Sequence, residues 1–297
     1  MGPIIAHKGK VIARNFMTQY PSGEPAWKPG IEVPDGSVIG LQWKGNMNEV
    51  VALCSWMSTT AHTPFGCTAV IPFLPCSRQD KEGPVEGDQS RGVGSILNML
   101  HDSNIEKLVV LDNHSTSILK HYDGFVENQS LVSVLEKENG VYLPFDVVVS
   151  PDAGSLSRSH EVAAMYGAPV ICASKVREQS SGRITSYSLP VAQTHGFKRI
   201  LVVDDIIDGG YTFQLLAHVL RSHWPEVHIT LVCTHGVLSA PPHFPAAMLE
   251  YNKVWLTDSC ENAKKAEYAS IRCGHEKKVD IIEVVERMTI ERSLQNA

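Results

Sequence analysis

No stretch of this 297-residue chain stays apolar for the length a bilayer crossing needs, and Met1 to Lys10 has no long apolar run of the secretory kind. A soluble protein without a membrane partner is expected. There is no basic stripe either, and the net charge of -6 argues against a general nucleic-acid binder, which must neutralise a phosphate backbone. Any anionic substrate has to be met locally. The seven cysteines (Cys54, Cys67, Cys76, Cys172, Cys233, Cys260, Cys273) are odd in number and contain no Cys-x-x-Cys pair, and several adjoin strand-like runs where a thiol packs as a small hydrophobe. That usage fits a reduced, cytoplasmic compartment.

What is present is apolar substance, 43% of residues, enough for two cores of about 130 residues each. Strand-like runs recur at Val50 to Ser55, Cys67 to Leu74, Lys107 to Leu111, Asp146 to Val149, Pro169 to Cys172, Arg199 to Val203, Ile229 to Cys233 and Lys253 to Leu256. Helix-compatible spacing falls between several of them, at Gly92 to Leu100, Leu156 to Tyr166 and Tyr211 to Ser222. Alternation of this kind predicts an α/β fold with parallel sheets and right-handed crossovers. The opening fifty residues, rich in Gly, Pro and Trp, suit short strands and turns. The Asn139-Gly140 turn sets a boundary between domains 1–140 and 141–275, and Val279 to Leu294 reads as a helix packing back on one of them.

The most informative segment is Arg199 to Thr212, Arg-Ile-Leu-Val-Val-Asp-Asp-Ile-Ile-Asp-Gly-Gly-Tyr-Thr. A buried strand ends at two carboxylates, and a glycine turn then leads into a helix, where backbone N–H groups can face an anion. Asp204 and Asp205 accept hydrogen bonds only, which suits ribose hydroxyls, while the amides of Asp208, Gly209, Gly210, Tyr211 and Thr212 suit a phosphate. An acidic turn that merely caps the next helix would look the same.

Ligands of open α/β sheets lie beyond the carboxyl ends of the strands, and four more places there carry chemistry. His114, in Asp112-Asn113-His114, is either a metal or phosphate contact or a surface histidine. Asp152, in Ser150-Pro151-Asp152-Ala153-Gly154, is either a magnesium ligand or the N-cap of the following helix. Lys175 and Arg177, in Ser174-Lys175-Val176-Arg177, are either solvated surface or cations on a loop able to close over transferring phosphates. Arg78, in the turn Pro75 to Lys81, could meet a phosphate with both prongs of its guanidinium.

Taken in order, these segments resemble the ribose-phosphate pyrophosphokinase (PRPP synthetase) family from about Gly66 onward. The carriers are Thr68-Ala69-Val70-Ile71-Pro72-Phe73, Arg78-Gln79-Asp80, Asp112-Asn113-His114, Val148 to Gly154, Lys175-Val176-Arg177, the Asp204 loop, Thr234 to Ser239 and Thr257-Asp258-Ser259. The Asp204 loop alone resembles type I phosphoribosyltransferases as well. The chain departs from the usual Asp-Asp-x-x-Asp-Thr-Gly-Gly-Thr in having Gly209 for threonine and Tyr211 for a small residue. Its N-terminal part is a poorer match: Tyr20-Pro21-Ser22-Gly23-Glu24 stands where the family has Phe-Ser-Asp-Gly-Glu, a loop that reaches adenine on a neighbouring subunit.

The resemblance implies two tandem phosphoribosyltransferase type I-like domains, each a mainly parallel sheet flanked by helices, with the C-terminal segment 276–297 joining the first. It implies a homo-oligomer that moves the β,γ-diphosphoryl group of Mg-ATP to the anomeric hydroxyl of ribose 5-phosphate and releases AMP. Lys175 and Arg177 would serve the phosphoryl oxygens, His114 and Asp152 the Mg2+, and Arg78, Gln79, Tyr20 and Glu24 the ATP. Gly209 and Tyr211 leave room for the same chemistry on a larger acceptor such as ADP-ribose. Two other readings stay open: a base phosphoribosyltransferase, which uses the same loop but not the two-domain order or Lys175-Val176-Arg177, and a non-enzymatic regulatory relative of the synthetases, against which the retention of His114, Asp152, Lys175 and Arg177 counts.

Overall fold

The structure is a computed structural model and describes residues 2–59, 67–80, 92–138, 144–177, 184–190, 196–239, 246–272 and 278–296. The chain forms two compact units, Met1–Gln129 with Ser259–Glu261 and Glu283–Ala297, and Ser130–Asp258 with Asn262–Ile282. The Asn139-Gly140 turn, expected from the sequence to be the boundary, lies outside the described residues. Among the described residues no helix is long and apolar enough to cross a membrane.

The first unit opens with short strands, as the turn-rich composition suggested: β1 (Ile4–His7), β2 (Lys10–Arg14), β3 (Met17–Gln19), β4 (Pro25–Trp27) and β5 (Val38–Gly40). Helix α1 (Asn48–Thr59) follows, then β6 (Cys67–Val70), α2 (Gly92–His101), β7 (Ile105–Leu111) and β8 (Val126–Gln129). Its sheet runs β2-β1-β5-β6-β7-β8, the last four parallel and the first two antiparallel. Val50 to Ser55, expected as a strand, is part of α1. The reason is periodicity: Val50, Leu53, Cys54 and Met57 are buried at helical spacing while Val51, Ser55 and Ser58 face water.

The C-terminal helix, Val285–Gln295, packs on β1 and β5 of this unit. It comes so close that a Cβ on Gly40 would stand 2.2 Å from Thr289 Oγ1. Arg14 grips Glu286 with both prongs, and the Gly9 amide donates to Ser293 Oγ at 2.9 Å.

The second unit holds α3 (Leu131–Leu135), β9 (Val147–Ser150), α4 (Leu156–Tyr166), β10 (Val170–Cys172), β11 (Ser174–Arg177) and β12 (Ile184–Ser188). It continues through β13 (Arg199–Ile207), α5 (Tyr211–His223), β14 (His228–Gly236), β15 (Lys253–Thr257), α6 (Glu261–Arg272) and β16 (Val279–Ile282). Six strands lie in the order β10-β9-β13-β14-β15-β16, all parallel. Central β13 is covered on both faces, with Ile200, Leu201, Val202 and Val203 all at 0% exposure. Each such side chain contributes roughly 1.5–3 kcal/mol on burial, which explains why its sequence runs apolar without alternating.

Three further expectations are corrected. Val279 to Leu294 is not one helix: its β-branched start adds β16 to the edge of the second sheet, and the helix begins only at Val285. Lys175 to Arg177 is not loop but strand β11, paired antiparallel with β12. Finally β13 does not stop at Val203. Pairing with β14 continues through Asp204↔Cys233 to Ile207↔Gly236, so the two acids sit inside the strand.

Candidate active site

In the second unit the carboxyl ends of β9 and β13 gather most of the singled-out residues. Asp152 lies two residues past β9 and divides its carboxylate between two tasks. Oδ1 accepts from the Gly154 and Ser155 amides at 2.8 and 3.3 Å, capping a 3-10 turn that leads into α4, and Oδ2 takes Lys175 Nζ at 2.5 Å. Asp152 thus caps the 3-10 turn and not α4 itself, whose N-cap position is held by Ser155, and its second oxygen has a separate partner. Burial alone would push this carboxyl up, but Lys175 and the two amides outweigh it and hold it below the ordinary value.

Ser155, on the same turn, donates to Asp204 Oδ1, which also accepts the Asp205 amide at 2.9 Å. Asp205 Oδ1 accepts the Ile206 amide at 2.9 Å. Arg158, in the first turn of α4, stands over both acids, with Nη1 3.9 Å from Asp204 Oδ1 and Nη2 3.8 Å from Asp205 Oδ2. Burial, then the negative charge of Asp205, pushes the Asp204 carboxyl up to about 7; Ser155 and Arg158 pull the other way.

Past β13 the chain turns through Asp208, Gly209 and Gly210 into α5. Asp208 Oδ1 accepts from the amide and hydroxyl of Ser239 at 2.8 and 2.7 Å, tying the end of β13 to the segment that follows β14. Gly210 occupies the N-cap of α5 at φ 77°, a left-handed conformation that favours glycine, and no side chain caps the helix. At Gly209 a Cβ would meet nothing within 4 Å. Tyr211 opens α5 with 44% of its surface exposed, and Thr212 follows half-buried. Arg177 closes β11 opposite Ile184; its side chain lies outside what is described.

In the first unit, β6 and β7 run side by side, and their carboxyl ends carry the remaining candidates. Past β6, Cys76 adopts φ 61°, the Gln79 amide donates to its carbonyl at 2.8 Å, and Arg78 and Gln79 are both exposed. Past β7, Asp112 at φ 44° redirects the chain. Asn113 fixes the turn through its amide to Asn128 Oδ1 at 3.0 Å and its Nδ2 to the Ser115 carbonyl at 2.6 Å, leaving His114 exposed. Tyr20 and Glu24 lie at the β3–β4 hairpin, closed by Tyr20 N to Glu24 O at 2.9 Å, with Tyr20 60% exposed. Arg78, Gln79, His114, Tyr20 and Glu24 thus belong to one unit, and Asp152, Lys175, Arg177 and the Asp204 loop to the second.

Sequence reasoning passed over two contributors, Ser155 and Arg158. The available signal was spacing: three and six residues after Asp152, at the start of the helix that follows a buried strand, a side chain faces the same strand ends as Asp152 itself. Among the described residues no group of three or more His, Cys, Asp or Glu side chains could hold a metal ion alone.

The phosphoribosyl transferase domain family matches residues 136–263. A ribose-phosphate pyrophosphokinase of Cereibacter sphaeroides is 32% identical over 199 residues, covering 65% of this chain and 57% of that protein. That of Sulfurisphaera tokodaii is 30% identical over 159 residues, 52% and 53% respectively, and that of Aquifex aeolicus 27% over 199 residues, 66% and 62%. The matched chain thus spans less than two thirds of the length of these curated relatives. The crystal structure of phosphoribosylpyrophosphate synthetase from Mycobacterium smegmatis shares the fold, at TM-score 0.72 and 20% identity over 95% of this chain and 90% of that one. In sequence the chain is thus similar to ribose-phosphate pyrophosphokinases over 65% of its length, it shares the fold of a phosphoribosylpyrophosphate synthetase, and its residues 136–263 match the phosphoribosyl transferase domain family.

Proposed function

We propose that the protein is a Mg-ATP-dependent pyrophosphokinase that transfers the β,γ-diphosphoryl group of ATP to the anomeric hydroxyl of a ribose 5-phosphate moiety, releasing AMP. One observation carries the reading. The acid pair Asp204–Asp205, the uncapped glycine turn into α5 and the Asp152–Lys175 pair meet at the carboxyl ends of neighbouring parallel strands. Such a transfer asks for little covalent help: the sugar hydroxyl must be held in line with the β-phosphorus and the phosphoryl charge neutralised.

Asp204 and Asp205 accept the ribose hydroxyls, and the amides of Asp208 to Thr212 take the 5-phosphate. Lys175 and Arg177, on the β11–β12 hairpin, reach the transferring oxygens. Arg78 and Gln79 contact ATP, His114 its phosphates, and Tyr20 and Glu24 the adenine of a neighbouring subunit in a cytoplasmic homo-oligomer. Mg2+ would be held by Asp152 through Oδ2, the oxygen that the capped turn leaves and that Lys175 Nζ engages, because this cation prefers one or two carboxylates together with substrate phosphates to an all-protein cage. When bound it would neutralise phosphoryl oxygens.

A second reading concerns the acceptor alone. With the threonine hydroxyl absent at Gly209, open space there, and Tyr211 exposed at the mouth of the turn, a 5-phosphate that continues into a diphosphate, as in ADP-ribose, would gain a stacking surface. The test is AMP release from Mg-ATP with ribose 5-phosphate, ADP-ribose and unphosphorylated ribose, with mass spectrometry of the product. AMP release with a phosphorylated acceptor and none with ribose is expected; AMP release with none of the three refutes the assignment.

A further inference from the structure

Arg158 has no part in the roles above, yet it is among the less accessible charged side chains of the second unit, 12% exposed, with its two terminal nitrogens over two different carboxylates. Successive residues of a strand ordinarily point to opposite faces. Asp204 and Asp205 are successive and inside β13, but one guanidinium reaches both. The 3.9 and 3.8 Å separations are longer than hydrogen bonds. At that range the charge acts on the acids without taking a hydrogen-bonding position on them.

We propose that Arg158 is a positioning residue for the sugar: from α4 it holds Asp204 and Asp205 as a pair of acceptors for the ribose hydroxyls without touching the sugar itself. The proposal rests on the acid pair being the hydroxyl site. Two adjacent buried carboxylates repel, and without a cation they retain a proton between them near neutrality, so that one acceptor becomes a donor. The upward displacement of Asp204 toward about 7 shows how near the balance lies with Arg158 in place.

The surrounding groups leave that task to the arginine. β14 contributes Cys233, fully buried and with its thiol pushed well up by burial and by the two acids. The turn before β15 contributes Tyr251, whose hydroxyl donates to the Phe213 carbonyl, and β12 contributes the buried Tyr187 beside it. Ser155, from the turn before α4, supplies a neutral donor. The nearby Lys175 is engaged by Asp152.

The experiment is sugar binding and steady-state kinetics of Arg158→Met and Arg158→Lys across pH. For Arg158→Met, the sugar KM and the sugar-phosphate Kd measured by calorimetry without ATP should both rise about tenfold at pH 7 and recover toward wild type at about pH 9, where base removes the shared proton. The ATP KM should stay within about threefold, and Arg158→Lys should lie between wild type and Met. A sugar Kd unchanged, or raised equally at every pH, overturns the proposal. Should Arg158→Met fail to fold, Arg158→Lys decides: the ratio of its sugar Kd to that of wild type, in which the phosphate's own titration cancels, must be raised at pH 7 and fall toward one by about pH 9, and a ratio of one throughout or constant with pH overturns the proposal equally. Wild-type protein that neither binds a sugar phosphate nor releases AMP refutes the functional reading instead, which keeps the two failures distinct.

Discussion

At the scale of single residues, Lys175 carries the heaviest demand. Its Nζ reaches Asp152 from a strand, so truncation removes a cation without disturbing a core. Lys175→Ala is expected to lower turnover about 10²- to 10³-fold or more with an unchanged circular dichroism spectrum; unchanged turnover would remove it from the chemistry. Asp205→Asn should raise the sugar KM more than the ATP KM, and the reverse ranking would mean the acid pair serves the nucleotide. The open space at Gly209 makes Gly209→Thr a gain rather than a clash: the restored hydroxyl should lower the KM for ribose 5-phosphate, while Tyr211→Ala should weaken ADP-ribose selectively. Competition assays with both acceptors give the ratio directly. The acid pair and the glycine turn were legible in the sequence because donors and acceptors of fixed type follow a buried strand. Arg158 was not, because a lone arginine on an amphipathic helix reads as solvated surface until its partners in another strand are known.

Among the elements, the C-terminal helix is the most exacting fit. Adding a side chain at Gly40 drives it into Thr289 and toward Ile4 Cγ1 at 3.0 Å. Gly40→Val should cost about 1–3 kcal/mol by overpacking, read as a lower urea midpoint, and pairing it with Thr289→Ala should restore part of the loss. The parallel strands of the second sheet were readable because a strand buried on both faces must be apolar throughout. Two misreadings share one physical cause, that a short apolar run does not declare its period: Val50 to Ser55 belongs to a helix buried along one stripe, and Val279 to Ile282 is an edge strand whose helix starts three residues later. The β11–β12 hairpin escaped because its pairing joins residues across a polar segment that carries no strand pattern.

For the molecule as a whole, the raised Asp204 carboxyl couples stability to pH. Between the ordinary carboxyl value of 3.8 and about 7 the unfolded chain has released this proton while the folded chain keeps it. The unfolded state then binds fewer protons, so this group's contribution falls as pH rises through that window and levels off above it. Asp204→Asn should therefore gain stability relative to wild type as pH rises from about 5 to 8; calorimetric melts of both proteins across that range check the sign, and a constant difference would contradict it. Each unit has its own core, Val147 to Val279 in one and Ile5 to Phe125 in the other. The first unit is nevertheless sealed by residues 285–295, which press on β1 and β5, strands far earlier in the sequence. On the ribosome those strands must wait, their apolar faces uncovered, until everything between has been synthesised, whereas the second sheet is complete once Ile282 has emerged. Of the two units, the one whose strands are made first is thus the one that finishes folding last, and its yield should depend most on chaperones during expression.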